Sequence, residues 1–382
     1  MAFFRNRTVN RLNLHYGVLA FAENAGGVFV FVYLLRAGVS VPATLTALAV
    51  LLAGRFAMRP GVLLIAKRWG LKRVLLLGTL AIAVTYPMLA AVHGVGLPLA
   101  AYCVVASFGG VLYWTSFHAY FAATGDPEHR GHQVGAREAI AAGLGIVAPL
   151  AGGYSLTTAG PGWTFAAVGV IQALGVLPLI GAPDVAIATV APHAFRAARL
   201  GLLLFAADGC FAAGYYYIWQ IALFVSVSQN FSAYGGALAL AVLVGATGSL
   251  LLGRHIDAGH GLQAVFVAYG LATGVIILRA ASFGLPWLAV AANAAGALVS
   301  ALLIPALMTP LYNLAKASPC PLRFNIVTEG GWDIGCGTAC LLAAGLTAAG
   351  LSLGTAVLLA LPGTTAITAL LSRYYDPASA AA

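Results

Sequence analysis

Apolar stretches long enough to cross a lipid bilayer recur along this chain from one end to the other. A transmembrane helix needs roughly 17–25 predominantly apolar residues. Hydrophobic residues make up 61% of the 382 positions and charged residues only 8%, whereas a soluble domain carries about a quarter charged residues. So few charged residues cannot cover the surface of a water-soluble fold of this length. The chain is therefore predicted to be an all-α integral membrane protein.

Twelve candidate transmembrane helices lie between the polar loops of the sequence. They are expected at residues 13–35, 42–66, 73–92, 97–123, 134–157, 163–182, 200–226, 233–255, 262–282, 286–314, 324–349 and 353–372. The longest loop of mixed polarity, Ala182–Arg199, falls between spans six and seven, where a linker between two halves belongs. We therefore expect a six-helix bundle over residues 1–183, a linker over 184–199 and a second six-helix bundle over 200–382.

Short sequence similarities between the two halves support a duplication. Phe21–Asn24 in span one resembles Phe205–Asp208 in span seven, and Arg137–Glu138 in span five is echoed by Thr328–Glu329 in span eleven. Each match is short, but the matches fall at equivalent depths of equivalent helices. They predict two bundles related by a pseudo-two-fold axis, an arrangement typical of transporters.

The basic residues cluster on one side of the predicted membrane. If the amino terminus is cytoplasmic, fourteen of the nineteen Lys and Arg residues fall in or beside cytoplasmic loops. Only Arg36 and Arg279 fall on the other side. This distribution follows the positive-inside rule, so it predicts that both termini are cytoplasmic and that the protein lies in a cell membrane, by its architecture a bacterial inner membrane. It also argues that the net charge of +9 does not mark a nucleic-acid surface.

The loop between spans two and three carries a recognisable motif. In the segment Ala66–Arg73, four residues match the pattern of a glycine followed by Asp-Arg-x-Gly-Arg-Lys: Arg68, Gly70, Lys72 and Arg73. Lys67 stands at the Asp position. With twelve spans and a 6+6 division, the chain resembles the major facilitator superfamily. The resemblance implies that this loop braces the cytoplasmic gate.

The second half contains a shortened version of the same motif. Gly253 and Asp257 keep its Gly-x-x-x-Asp spacing, so the resemblance makes Asp257 a candidate for a charge-relay role at the gate. Arg137 and Glu138, at the cytoplasmic end of span five, are assigned to the gate as well. The segment Gly143–Gly153 in span five is similar to the glycine-proline motif of the family's proton antiporters, and its glycines and proline are expected to let helices approach closely and bend.

Half of the ten acidic residues fall inside predicted spans: Glu23, Glu138, Asp208, Glu329 and Asp333. A carboxylate within the membrane costs several kcal/mol unless it is paired, protonated or hydrated. In the family that the chain resembles, the first and fourth helices of each half line a central cavity. The resemblance therefore places Glu23, its neighbour Asn24, and Asp208 at a site that binds substrate or protons.

Span eleven contains the segment Glu329-Gly330-Gly331-Trp332-Asp333. Glu329 and Asp333 are four residues apart, so they share one face of a helix. The two glycines predict a local break that would expose backbone carbonyls beside the carboxylates and Trp332, which would suit a cation or a proton. The alternative is that Arg323 or Lys316 neutralises Glu329.

Two further groups in the spans are candidates for the same site. His118 lies among aromatic residues of span four, and histidine is the side chain whose unperturbed pKa lies near neutrality. Arg55 and Arg59 are one helical turn apart in span two. They could snorkel toward the cytoplasm, hold an anionic substrate, or pair with an acid such as Glu23 or Glu329; pairing is the favoured interpretation.

These features predict an alternating-access secondary transporter of a small organic solute, coupled to protons, operating in antiport or efflux, without a cofactor and as a monomer. A divalent-metal carrier and a lipid flippase of the same fold stay open. So does an integral-membrane enzyme, for which Asp126–His132 is the nearest candidate cluster, and a channel. The chain contains no phosphate-binding glycine-lysine motif, which argues against a primary ATP-driven pump.

Overall fold

The computed structural model describes residues 6–125, 130–185, 187, 191–256 and 261–375, and every regular element within these ranges is helical. The helices of the first half are α1 (Arg7–Ala25), α2 (Val30–Arg36), α3 (Val41–Trp69), α4 (Leu71–Ala90), α5 (Leu97–Thr124), α6 (Arg130–Thr158) and α7 (Gly160–Leu174). Those that follow are α8 (Ala194–Ala197), α9 (Arg199–Ala212), α10 (Trp219–Ser226), α11 (Phe231–Ile256), α12 (Gly261–Ser282), α13 (Pro286–Ala317), α14 (Pro321–Ala348), α15 (Leu353–Val357) and α16 (Ala360–Tyr375).

Counted over the described residues, the long helices form twelve segments, because α1–α2, α9–α10 and α15–α16 each make one interrupted segment. Ten segments are long and apolar enough to cross a membrane. The apolar part described for α11, Phe231–Thr247, is shorter, and α14 contains three ionisable residues that lower its mean hydropathy. The prediction of an all-α membrane protein with twelve spans in two bundles is confirmed. The predicted division at residues 183 and 199 stays a prediction.

The first segment of each half is interrupted near its middle. α1 ends at Ala25, and after Gly26 a 3₁₀ turn over Gly27–Phe29 leads into α2. In the second half, α9 continues into a π-helical turn over Ala213–Ile218 before α10 begins. Such irregular turns leave backbone groups outside the regular α-helical pattern and are frequent at functional sites. Both halves thus have an irregular turn within their first membrane segment, as a duplicated unit would.

The predicted break at Gly330–Gly331 is wrong, because α14 runs without interruption from Pro321 to Ala348. Gly331 instead permits close packing against α9: a Cβ atom there would lie 2.5 Å from the carbonyl oxygen of Leu202. Gly335, one turn later, meets the backbone of Ala206 in the same way. Small residues four apart let two membrane helices approach until their backbones touch. The glycines therefore fix α14 onto α9 rather than opening it.

The glycine-rich part of α6 also permits close helix contacts, as its sequence predicts. A Cβ atom on Gly153 would lie 2.5 Å from the carbonyl oxygen of Phe231, where α11 begins. Gly152 packs against the backbone of Ala25 at the end of α1. α6 is thus held between the first segment of its own half and α11 of the other half. Together with the contact between α3 and α14, this brings the two halves together around a central space.

Candidate functional site: the central cavity

A cavity of about 880 Å³ lies between the two halves. Its wall is formed by side chains from α1, α3, α5, α6, α9, the π-helical turn, α13 and α14. Pockets for small organic ligands in proteins measure about 300–1,000 Å³. The space is therefore large enough for a small organic solute, and both halves contribute to its surface.

The cavity reaches one end of the bundle and is closed at the other. Lys316 and Pro321, next to the loop between α13 and α14, line it at the end that carries the amino terminus. At the opposite end, Phe29 of the first half packs edge-on against Tyr234 of the second, with ring centroids 5.5 Å apart. The hydroxyl of Tyr234 also donates a hydrogen bond of 3.2 Å to the carbonyl of Val28. These aromatic and polar contacts between the halves close this end.

A cluster of four charged side chains joins α3 to α14 beside the cavity. The guanidinium of Arg59 donates to Glu329 at 2.7 Å and also to Asp333. Nε of Arg55 lies 3.2 Å from Oδ1 of Asp333. Thr115 of α5 accepts from Arg59 at 3.2 Å. Two cations and two anions face each other, so the cluster is formally neutral while it bridges the two halves.

This geometry decides among the pairings considered for the arginines. Glu329 pairs with Arg59, whereas Arg55 pairs with Asp333, a partner that the sequence did not indicate. Glu23, the other suggested partner, is in neither ion pair. The basic residue that meets Glu329 comes from α3, far along the chain, and not from its own end of α14.

Asp208 and Trp332 form a second polar contact on the cavity wall. The indole nitrogen of Trp332 donates to the Asp208 carboxylate at 3.1 Å. The Trp332 ring meets Tyr217 of the π-helical turn edge-on at 6.1 Å, and the Arg55 guanidinium lies 5.7 Å from its centroid. Asp208 therefore fixes the orientation of a ring that faces the cavity.

Glu23 lines the cavity without a partner. Among the described residues, no side chain or backbone group forms a hydrogen bond or ion pair with its carboxylate. Gly27, in the turn after α1, leaves room for it because it has no side chain: a Cβ atom there would lie 2.6 Å from Oε2 of Glu23. Asn24 is not part of the wall, since its amide donates to the carbonyl of Ala20 in the same helix at 2.8 Å.

His118 and Arg137 lie on the wall nearer the open end. His118 stacks on Trp114, with ring centroids 5.9 Å apart, and both line the cavity. The Arg137 guanidinium lies over the rings of Tyr16 and Phe121, at 5.0 and 5.5 Å. Arg137, assigned to the gate from the sequence, is thus also a cavity residue.

Two of the other gating candidates can be placed only in part. Glu138 belongs to α6, and Gly253 to the end of α11. Asp257 lies outside the described residues, as does most of Asp126–His132. Their expected roles stay predictions.

The loop after α3 contacts an acidic residue from elsewhere in the chain, although its own motif has no acidic residue. Gly70 adopts φ +83°, and the carboxylate of Asp184 packs directly against it, where a Cβ atom would overlap. Asp184 accepts from the backbone nitrogen of Lys72 at 3.0 Å and lies 3.9 Å from Nε of Arg73. Arg68 is exposed. An acid distant in sequence therefore takes a place beside the motif whose own Asp position holds Lys67.

Arg279 was counted among the few basic residues on the outer side, but its side chain is buried. It is 3% exposed, and its guanidinium lies 4.2 Å from the Tyr215 ring centroid and donates to the Tyr215 carbonyl at 2.5 Å. Tyr215 belongs to the π-helical turn. Arg279 thus satisfies a backbone group that the irregular turn presents.

A family model described as Major Facilitator Superfamily matches residues 14–319. The chain belongs to the Major Facilitator Superfamily. No curated protein matches it. Membership supports secondary transport of a small solute, not enzymatic chemistry.

Solved structures show the same fold. The nucleoside transporter NupG, in the form of a point mutant, aligns with a TM-score of 0.66 over 96% of this chain and 99% of its own, at 12% identity. A POT family transporter in complex with a thioalcohol-conjugated peptide aligns with a TM-score of 0.67 over 96% and 95%. A POT family transporter in complex with 5-aminolevulinic acid aligns with a TM-score of 0.66 over 98% and 97%. Both are also 12% identical to this chain.

Proposed function

We propose that this protein is a proton-coupled secondary transporter that moves a small organic solute by alternating access. The observation that carries the proposal is Glu23, a carboxylate with no partner among the residues that the structure describes, in a cavity that is open at one end and closed at the other. An ionised carboxylate in the membrane needs a cation, hydrogen-bond donors or water. In this open state no described protein group meets that need, so hydration through the open end has to, and the protonation of Glu23 and the closure of the cavity are coupled.

The other acids have different roles in the proposal. Glu329 and Asp333 are balanced by Arg59 and Arg55 and keep the interface between α3 and α14 neutral. Asp208 already accepts a hydrogen bond from Trp332. Glu23 is therefore the proton site, and these acids hold the cavity wall in place. Exchange of protons for solute, the antiport mode, is supported by the glycine-proline run of α6.

The proposal includes the bacterial inner membrane, cytoplasmic termini and a monomer. The distribution of basic residues supports this orientation. The open end of the cavity would then face the cytoplasm, and the loop that contains Gly70 would lie beside it. The two bundles would correspond to residues 1–183 and 200–382, joined by the linker at 184–199.

A distance measurement without any solute tests the coupling. Spin labels would be placed at Lys67 and Pro319, which are exposed at the open end in different halves, in a background with the five native cysteines replaced. Protonation removes the need to hydrate Glu23, so we expect acidification to shift the population toward a shorter distance. Glu23→Gln should give the shorter distance at every pH.

Asp208→Asn is the matched control, because it makes the same change of charge in the same cavity and keeps an oxygen acceptor for Trp332. This variant should retain the pH response. A wild-type distance that does not change with pH, or a Glu23→Gln variant that still responds, would contradict proton coupling through Glu23.

A further inference from the structure

The deep part of the cavity has a different character from its mouth. Glu23 lies 16 residues beyond Arg7, which is roughly 24 Å along the helix axis, and Asp208 lies roughly 14 Å beyond Arg199, at 1.5 Å per residue. Lys316, in contrast, is exposed where the cavity opens. Carboxylates therefore lie in the interior, and this lysine lies where water and its counterions can screen it.

The arginines near the deep part are already neutralised by other acids. Arg55 and Arg59 face Asp333 and Glu329 in a cluster with no net charge. The carboxylates of Glu23 and Asp208 have no basic partner among the described residues. Outside that cluster the charged residues of the wall are Glu23 and Asp208, together with Arg137 and Lys316 toward the mouth. The part of the wall around the two carboxylates is therefore negative, and a bound cation would reduce that charge.

The groups that face Glu23 from the surrounding helices do not supply that cation. Phenolic side chains close enough to interact with it electrostatically come from α4, α5 and the π-helical turn: Tyr86, Tyr102, Tyr113 and Tyr217. The charged and titratable groups that share its cavity are Arg55, His118, Arg137, Asp208, Lys316 and Glu329. Of the cations, Arg55 is paired, Arg137 lies over aromatic rings toward the mouth, and Lys316 is at the opening.

Aromatic rings lie beside the acids. Trp332 and Tyr217 meet edge-on at 6.1 Å, so they present differently oriented faces to the cavity. The hydrogen bond from Trp332 to Asp208 holds this pair in place. Aromatic faces attract organic cations, and quaternary ammonium ligands are recognised by such cages. Carboxylates and fixed rings in one cavity form a site for a positively charged group with an apolar body.

We infer that the transported solute is an organic cation with an aromatic or apolar body, bound between Glu23, Asp208 and the Trp332–Tyr217 pair. This inference rests on the proposed function, because it takes the same cavity as the solute site. It adds the chemical class of the solute, which the fold does not determine. Because Glu23 serves both, the cation and the proton compete for one carboxylate.

Two ions of the same shape and opposite charge test the inference. Tetraphenylphosphonium and tetraphenylborate would each be titrated alone into purified protein by isothermal calorimetry. We expect saturable binding of the phosphonium at least tenfold tighter than any binding of the borate. Because the phosphonium has no titratable proton, protons released on its binding, measured in weak buffer at mildly acidic pH, come from the protein.

Three variants distinguish the contribution of the Glu23 carboxylate to binding from that of the Trp332 ring and from a general loss of folding. Glu23→Gln should weaken phosphonium binding about tenfold or more and abolish proton release. Trp332→Leu should weaken binding, whereas Trp287→Leu, at a residue 88% exposed at the start of α13, should not. Variants would be compared only where the thermal unfolding curve is retained.

Borate binding as tight as phosphonium binding, no phosphonium binding, or unchanged binding by Glu23→Gln would overturn the cation inference. None of these results bears on the proposed proton coupling, because the pH-dependent distance between Lys67 and Pro319 is measured without solute. A protein that binds the phosphonium but shows no pH-dependent distance would instead contradict the proposed proton coupling. The two ideas therefore fail in different experiments.

Discussion

Replacement of Arg59 by methionine is the change that most directly tests the charged cluster between α3 and α14. Arg59 is 2% exposed and donates to Glu329 at 2.7 Å, to Asp333 and to Thr115 at 3.2 Å. Arg59→Met leaves two buried carboxylates facing one remaining cation, Arg55. Removal of one partner from a buried ion pair costs about 3–5 kcal/mol, and we expect a loss of this size in the free energy of unfolding.

Restoration of the charge balance provides the second half of the experiment. In Arg59→Met/Glu329→Gln, the remaining pair of Arg55 and Asp333 is neutral, so the double variant should regain at least half of the lost free energy. The coupling energy of the double-mutant cycle should then be about 2 kcal/mol or more. Arg68 is an exposed arginine near the last residue of α3. Arg68→Met should therefore change the free energy of unfolding by less than about 0.5 kcal/mol.

The assay is unfolding in mixed micelles, followed by far-ultraviolet circular dichroism under one condition for five proteins: the wild type, Arg59→Met, Glu329→Gln, the double variant and Arg68→Met. If Arg59→Met costs less than about 1 kcal/mol, the cluster behaves like a solvated surface pair, and the argument from burial is wrong. Additive effects of Arg59→Met and Glu329→Gln would refute the direct interaction between the two side chains.

Two glycines give further predictions. A Cβ atom on Gly296 would lie 2.6 Å from Cζ of Arg279, so Gly296→Ala should displace the guanidinium and lower the free energy of unfolding by about 2–3 kcal/mol; Arg279→Met should relieve part of that loss in the double variant, as measured by thermal unfolding. Gly70→Ala strains a residue at φ +83° and displaces Asp184. Faster proteolysis of the linker than in the wild type is expected, and an unchanged rate would contradict the role of Asp184.

Most of the helical architecture follows from hydropathy, because a lipid bilayer imposes a minimum length on each apolar segment. The fifth span was expected at residues 134–157 and is found at Arg130–Thr158. The interruption after Ala25 was not predicted. Gly26 and Gly27 lie inside an apolar run, and hydropathy does not distinguish a glycine at a break from a glycine in a continuous helix.

Gly330 and Gly331 also show that sequence does not reveal whether a glycine interrupts a helix, here because an expected break is absent. The sequence suggested a break at this pair, and the structure has a continuous helix packed closely on α9. Glycine serves both purposes because it has no side chain, and the neighbouring helix decides which applies. Only the position of Leu202 and Ala206, more than a hundred residues earlier, explains why glycines are needed at this point of α14.

Six of the eight residues expected to bind substrate or protons line the cavity: Glu23, Arg55, His118, Asp208, Glu329 and Trp332. The resemblance assigns the first and fourth helices of each half to the wall, so it accounts for Glu23, His118 and Asp208. The other three lie on spans two and eleven and were expected there from their charge and spacing.

The partners of these residues could not be predicted, since they depend on contacts across long stretches of chain. Arg59 meets Asp333 across 274 positions, and Lys72 meets Asp184 across 112. No local pattern relates two residues at such separations. Asp333 and Asn24 also show that membership of a promising motif does not place a side chain on the cavity wall, since neither lines it.

Glu23 and Asp208 lie one position apart when the first helices of the two halves are matched, since Asn24 corresponds to Asp208, and their surroundings assign them different tasks. Asp208 accepts from Trp332, which belongs to α14, and α14 is packed backbone to backbone on α9. Asp208 and Trp332 are therefore linked both by this hydrogen bond and by the packing of their helices. Glu23 lies before an interruption that places Gly27 against its carboxylate.

This asymmetry locates the response to protons. In the cluster between α3 and α14, each carboxylate faces an arginine. Asp208 has a fixed donor. Protonation of Glu23, in contrast, removes a charge that no group in the described part of the chain balances. It therefore lowers the free-energy cost of closing the cavity and removing water from its wall. A cation bound at Glu23 would lower the same cost. Proton and solute would thus each permit closure, but not together, which is the condition for exchange of one for the other.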